Sequence, residues 1–260
     1  MTSSPATPLR VLILGGTADA TRLVQAVAND PRIEAVLSYA GRTENPVPPP
    51  IAWRVGGFGG IDGLADYLRA ERIARVVDAT HPFAAQISAH AMTACTKVGV
   101  PLLALERKPW QRAPGDRWIE VDDLAAAARA LGPVPRRVFL GIGRMYLETF
   151  AAYPQHAYLV RLVDPPRAPL PLPGAEVIVA RGPFDRIGDR AMLANFRAEI
   201  VVARNAGGGA ASAKIEAARD LALPVVMVHR PFIPAREKVE TVAEVLRWLG
   251  HGDTPAERGV

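Results

Sequence analysis

The chain has 260 residues, 49% of them hydrophobic, which is enough for a sizeable core and long for one compact α/β domain but comfortable for two. Its net charge of +5 rests almost wholly on arginines dispersed among acids, with no aromatic-plus-basic stripe. A small anionic ligand therefore suits it better than nucleic acid. The lone Cys95 excludes an intramolecular disulfide and a cysteine-based metal cluster. No stretch approaches the ~20 apolar residues of a membrane span, and Met1–Pro8 lacks a basic-then-apolar signal, so the cytosol is the expected location.

The first element, Val11-Leu-Ile-Leu14, is an apolar strand that enters Gly15-Gly16-Thr17 and a helix from about Ala18 to Ala28. Paired glycines let the backbone turn sharply and approach a pyrophosphate, whose charge suits the free N–H groups of a helix start. Ala35–Tyr39 is the second strand, followed by Gly41, Arg42 and Thr43. In an NAD site an acidic residue near this strand end holds the ribose. Here Arg42 is the first charge and can grip a 2′-phosphate with two hydrogen bonds, so the pair of segments reads as an NADP(H) site. Other readings stay open: positions 18 and 20 are alanine, so the full G-x-G-x-x-G is absent, and Glu44 can serve a ribose instead.

A proline-rich loop, Pro46–Pro50, precedes Val55-Gly-Gly-Phe-Gly-Gly60, whose glycines admit a flat ligand or form a plain flexible turn. Ile61–Glu71 is an amphipathic helix with Asp62 as its expected cap. Val76–Ala79 is a buried strand, Ala84–Val98 a helix and Pro101–Leu105 another strand. Between strand and helix lies Asp78-Ala-Thr-His-Pro-Phe-Ala84. Thr80 or His81 fits a cap and Pro82 a first helical turn, while His81 also falls where a reacting ring is expected. His81 and His90 lack the short helical spacing of a metal pair, so no metal is expected.

After Arg107–Gly115 the pattern restarts, with Trp118–Val121 as strand and Asp122–Leu131 as a helix capped by Asp122. Arg137-Val-Phe-Leu-Gly-Ile-Gly-Arg144 repeats the strand-into-glycine theme. Strands follow at Ala157–Arg161, Ala175–Ala180, Ile200–Ala203 and Val225–Val228, and helices at Asp185–Asn195, Ala210–Leu221 and Val239–Leu249. Ala203-Arg-Asn-Ala-Gly-Gly-Gly-Ala-Ala-Ser-Ala-Lys214 is either a glycine cap or an anion site flanked by Arg204 and Lys214. Arg161, Arg181 and Arg230 near strand ends are ordinary ion pairs or, if convergent, a polycarboxylate binder. The expected fold is two Rossmann-like α/β domains, 1–112 and 113–260, with parallel sheets flanked by helices and a ligand cleft between them. Residues 251–260 are expected to be a disordered tail.

Leu14-Gly-Gly-Thr17, Ser38-Tyr-Ala-Gly-Arg-Thr43, Gly56–Gly60, Asp78–Ala84 with Ile87-Ser88, Lys214–Arg219 and Val225–Pro231 together resemble the precorrin-6A reductase family of cobalamin biosynthesis, over about residues 10–249. Position 19 is Asp where the family commonly has Glu, and Arg204-Asn-Ala-Gly-Gly208 stands where many relatives have Lys and a Ser before the glycines.

The resemblance implies an NADPH-dependent oxidoreductase whose substrate is an anionic tetrapyrrole-derived ring, and hydride transfer that reduces one double bond of that ring. On this basis Gly15, Gly16 and Thr17 are assigned to the pyrophosphate, and Ser38, Gly41, Arg42 and Thr43 to the 2′-phosphate. Gly57, Phe58, Gly59, Thr80, His81 and Pro82 surround the ribose and nicotinamide, and Arg204, Asn205, Gly207, Gly208 and Lys214 bind substrate. His81 and Tyr146 are the candidate proton donors, with solvent a third. No membrane or nucleic-acid partner is implied, and a monomer or weak homo-oligomer is expected. The rivals are a non-catalytic NADP(H) sensor, which needs no polyanion pocket, and a reductase of the same fold acting on a smaller acid.

Overall fold

The computed structural model describes residues 7–40 and 48–250. They form two units: residues up to Arg107 together with those from Phe232 onward, and Lys108–Pro231.

The first unit contains β1 (Leu9–Leu14), α1 (Ala18–Val27), β2 (Ile33–Tyr39), β3 (Ala52–Val55), α2 (Gly60–Ala70), β4 (Arg75–Asp78), α3 (Ala85–Val98) and β5 (Leu102–Leu105). The second contains β6 (Arg117–Val121), α4 (Leu124–Ala130), β7 (Arg137–Gly141), β8 (Ala157–Leu162), β9 (Glu176–Val179), α5 (Arg186–Phe196), β10 (Ile200–Arg204), α6 (Ala213–Asp220) and β11 (Pro224–Val228). The chain then returns to the first with β12 (Lys238–Val239) and α7 (Val242–Gly250). The sheet orders are β12-β5-β4-β1-β2-β3 and β6-β11-β10-β7-β8-β9, and every paired neighbour is parallel.

Parallel sheets bury both faces, which is why β1 is an unbroken apolar run. Alternate side chains point to opposite faces. Val11 and Ile13 pack with Leu23, Val27, Val245 and Leu249 beneath α1 and α7, while Leu12 and Leu14 pack with Leu64, Leu68, Ala91 and Ala94 of α2 and α3. Each such side chain contributes about 1.5–3 kcal/mol of burial. In the second unit Phe139, Val201, Ala203, Val225 and Met227 meet Leu193, Phe196, Ile215 and Ala218 of α5 and α6.

The C-terminal segment departs from the expected division. Chain order alone assigned it to the second domain, but β12 pairs with β5, and Val245 and Leu249 of α7 join the core around Val11. The expected helix start at Val239 is strand. α7 begins after Thr241, whose N–H donates to Glu244 Oε2 at 2.9 Å while its Oγ1 accepts from the Glu244 N–H at 3.2 Å, a reciprocal capping box. The other boundary falls at Arg107 rather than near 112, because Asn205 and Gly208 hold Trp110 within the second unit. Residues 251–260 lie outside the described residues.

Two expected caps move. The residue before α2 is Gly59, at φ +82°, and Asp62 instead meets Lys97 on the surface at 2.7 Å. Asp123, not Asp122, caps α4, since it stands three residues before the N–H it accepts from, that of Ala126 at 2.6 Å.

Candidate functional site

Register brings the carboxyl ends of four strands of the first unit into one row. Arg54 of β3 pairs with Ser38 of β2, Ser38 with Leu14 of β1, and Leu14 with Asp78 of β4. Ligands of open α/β sheets lie beyond such an edge. Here a cavity of about 460 Å³ is lined by Gly15, Gly16, Ser38, Gly57, Phe58, Gly59, Thr80 and His81, all expected from the sequence, and also by Tyr39, Gln86 and His90. Thr17 and Pro82 stand outside that lining, and Gly41, Arg42, Thr43 and Glu44 lie outside the described residues.

Two glycines of the first turn answer different needs. A Cβ on Gly15 would sit 2.5 Å from Leu37 Cδ1, so its absence lets β1 pack closely on β2. Gly16 is at φ +113°, a conformation that side chains resist. Thr17 caps α1. Its Oγ1 accepts from the Ala20 N–H at 3.1 Å and donates to the Ala79 carbonyl at 2.8 Å, so the hydroxyl serves the fold. The first-turn N–H groups of Ala18 and Asp19 have no intrahelical acceptor by helix geometry and form the positive end of α1. Asp19 itself is buried and paired with Arg22 and, at 2.7 Å, with Arg107.

Asp78, 2% exposed, organises the far side of the cavity. Its Oδ1 accepts from the Thr80 N–H at 3.1 Å and Oγ1 at 2.7 Å. Its Oδ2 accepts from Ser88 Oγ at 2.6 Å and lies 3.5 Å from Arg236 Nη2. Arg236 also reaches Glu106 at 3.0 Å, so the returning C-terminal segment contributes to the support of this turn. Thr80 is thereby fixed by Asp78 and does not cap α3, whose preceding residue, Ala84, makes no side-chain cap bond. His81 is not that cap either: its Nδ1 accepts from the Phe83 N–H at 3.2 Å. An accepting Nδ1 assigns the ring proton of neutral His81 to Nε2. Pro82 is buried within this turn.

Sequence reading missed Arg54. Its Nη1 donates to Ser38 Oγ and the Gly56 carbonyl, each at 2.9 Å, its Nη2 donates to the Gly57 carbonyl at 3.0 Å, and the guanidinium stacks 4.0 Å from the Phe58 ring centre. The cation thus ties the glycine loop to the end of β2. The signal available was an arginine just before a glycine run, but its partner across the sheet follows only from strand pairing.

In the second unit, Arg204 ends β10, with its guanidinium 4.6 Å from the Tyr146 ring centre. Lys214, 7% exposed, lies 5.0 Å from the Trp110 ring centre and donates to the Ala211 carbonyl at 2.7 Å. A Cβ on Gly141 would come within 3.0 Å of the Lys214 stem, so that glycine makes room for it. Asn205 spends both ends of its amide on the Trp110 backbone, accepting from its N–H at 2.7 Å and donating to its carbonyl at 3.0 Å. Gly207, at φ +70°, has no space for a Cβ, which would lie 2.0 Å from the Lys108 carbonyl oxygen. The Gly208 carbonyl accepts from the Trp110 indole at 2.8 Å. Asn205, Gly207 and Gly208 therefore shape the loop, and Arg204 and Lys214 are its cations.

The three other strand-end arginines have internal partners. Arg161 is buried against Asp189, Arg181 meets Asp164 at 2.5 Å, and Arg230 holds the Asn205 and Ala206 carbonyls at 3.0 and 3.1 Å. Among the described residues no helix is long and apolar enough to cross a membrane.

Comparison with known proteins gives one answer. The family model for precorrin-6x reductase CbiJ/CobK matches residues 10–250. The precorrin-6A reductase of Rhodobacter capsulatus is 55% identical over 252 residues, covering 96% of this chain and 99% of that protein. The precorrin-6A reductase of a Sinorhizobium species is 47% identical over 247 residues, 95% of each chain. A solved structure named CobK precorrin-6A reductase superposes with a TM-score of 0.90 at 54% identity, covering 96% of this chain and 99% of that one. With the family model spanning nearly its whole length, the chain belongs to the precorrin-6x reductase CbiJ/CobK family of oxidoreductases.

Proposed function

We propose that this protein reduces one double bond of precorrin-6A, with NADPH as the reductant, in cobalamin biosynthesis. The supporting observation is the cavity of about 460 Å³ beyond the strand ends of the first unit, which gathers the Gly15-Gly16 turn, Ser38, the Gly57–Gly59 loop and the Thr80-His81 turn. Those groups fit a dinucleotide: a helix start without acceptors for its first N–H groups, glycines that admit close backbone approach, and a hydroxyl beside a guanidinium.

NADPH, when bound, supplies a hydride from C4 of its nicotinamide. The protein's own work is placement and charge compensation. The start of α1 with Gly15, Gly16 and the Thr17 N–H meets the pyrophosphate. Ser38, with Gly41, Arg42 and Thr43, meets the 2′-phosphate. Gly57, Phe58 and Gly59 wall the ribose, and Pro82 fixes the turn that presents Thr80 and His81 to the nicotinamide end.

His81, once its Nδ1 takes a proton from solvent in place of the Phe83 N–H bond, donates the Nε2 proton as the hydride arrives and returns to the neutral ring, so that the substrate gains one hydride and one proton. Arg204 and Lys214 meet substrate carboxylates as charge-assisted pairs, Arg204 supported by the Tyr146 ring. The enzyme acts in the cytosol as a monomer or weak homo-oligomer. The reading is tested with NADPH deuterated at C4. Deuterium recovered in the macrocycle supports it, and a ring reduced without deuterium from either C4 position overturns it.

A further inference from the structure

We propose that Arg54 discriminates a phosphorylated from an unphosphorylated adenosine ribose; this rests on the nucleotide reading of the first unit's cavity. Arg54 stands beside Ser38 in parallel register at the carboxyl ends of β3 and β2, where a dinucleotide fold places the adenosine ribose. Four of its five protein partners, Ser38, Gly56, Gly57 and Phe58, line the cavity, and the fifth, the Tyr67 ring 5.3 Å from the guanidinium, stands outside that lining.

A guanidinium carries five N–H donors in a fixed plane. Three are engaged, by Ser38 Oγ and the carbonyls of Gly56 and Gly57. The Nε–H and one Nη2 N–H have no partner among the described residues, and neighbouring guanidinium N–H groups are spaced for two oxygens of one phosphate.

Ser38 completes the arrangement. Its oxygen accepts from Arg54, which leaves the hydroxyl proton to be donated to the same anion. The Phe58 ring at 4.0 Å holds the guanidinium plane, and its carbonyl anchors hold the charge at the end of β3 before any ligand arrives. An unphosphorylated ribose offers nothing to pair with that charge.

The test is fluorescence titration of the full chain with NADPH and with NADH, comparing wild type with Arg54→Met, Arg54→Lys and Ser38→Ala. Loss of the carbonyl anchors weakens both nucleotides alike, so the informative quantity is the ratio of the two dissociation constants. Arg54→Met is expected to reduce the preference for NADPH by about tenfold or more, the effect of losing a charge-assisted pair. Arg54→Lys is expected to restore part of it, and Ser38→Ala to reduce it less than Arg54→Met does. Equal losses for both nucleotides in Arg54→Met would overturn the proposal and leave Arg54 as a loop clamp. If Arg54→Met does not fold, an unchanged ratio in Arg54→Lys and Ser38→Ala would overturn it as well. Failure of the wild type to bind either nucleotide would instead overturn the underlying cofactor reading.

Discussion

Oδ2 of Asp78 accepts a 2.6 Å hydrogen bond from the Ser88 hydroxyl, tying the end of β4 to the first turn of α3. The same carboxylate holds Thr80 and faces Arg236, whose side chain is 8% exposed. Removing one member of a buried charged set leaves the others uncompensated. Asp78→Ala is therefore expected to destabilise the protein by about 3–5 kcal/mol, and Ser88→Ala by about 1.5–3 kcal/mol, the range for a hydrogen bond to a charged group. Urea unfolding followed by circular dichroism checks both. An Asp78→Ala variant as stable as wild type would contradict the network.

Gly63 lies in α2, where a Cβ would sit 1.8 Å from the Phe58 carbonyl oxygen. Gly63→Ala must push the Phe58 loop away from the helix. Such overpacking costs about 1–3 kcal/mol, equivalent to about a fivefold to hundredfold loss of nucleotide affinity if the loop forms that wall. Calorimetric titration with NADPH on a variant of unchanged helicity reads this directly, and unaltered affinity would remove the loop from the site.

His81 is held by the Phe83 N–H at Nδ1 and carries its ring proton at Nε2. General acid catalysis contributes roughly 10²–10⁴-fold, so His81→Ala is expected to lower kcat by about a hundredfold or more while leaving the NADPH dissociation constant little changed. Intact turnover would assign the proton to solvent. Tyr146→Phe keeps the ring beneath Arg204 and is expected to retain activity. Tyr146→Ala should raise KM for the macrocycle.

His156 is buried at the start of β8, and burial, which disfavours the charged ring, pushes its pKa below the ordinary histidine value. A hydrogen bond involving the Gly132 backbone opposes that shift, and the charge of Arg136 adds to it. Its folded pKa is thus the lower one, so the unfolded chain binds the proton more readily. Stability from this residue is full above about pH 6.5 and declines as pH falls from the unfolded toward the folded pKa. Thermal unfolding scanned from neutral to mildly acidic pH should show this decline, and His156→Phe should flatten it. An identical slope in both proteins would contradict the assignment.

Much of this was legible in the residues because the physics is local. The run Val11–Leu14, with no polar alternation, demands a strand buried on both faces, and the glycines after it demand a turn. The Gly-Phe-Gly loop and the Thr80-His81 turn fell at strand ends for the same reason.

What was not legible depends on pairing between distant segments. The role of Arg54 follows from its register with Ser38 across the sheet, and β3 is too short and too exposed to announce itself. β12 is two residues long and declares its sheet only by pairing with β5. Arg161 was left between an ion pair and an anion binder because Asp189, its buried counter-ion, is 28 positions away.

The central claim is tested most directly by anaerobic oxidation of NADPH by the purified protein with precorrin-6A, run beside NADH. The account predicts one NADPH oxidised for each macrocycle reduced, and a much slower reaction with NADH at the same concentration. Tight NADPH binding with no oxidation in the presence of the macrocycle would contradict it.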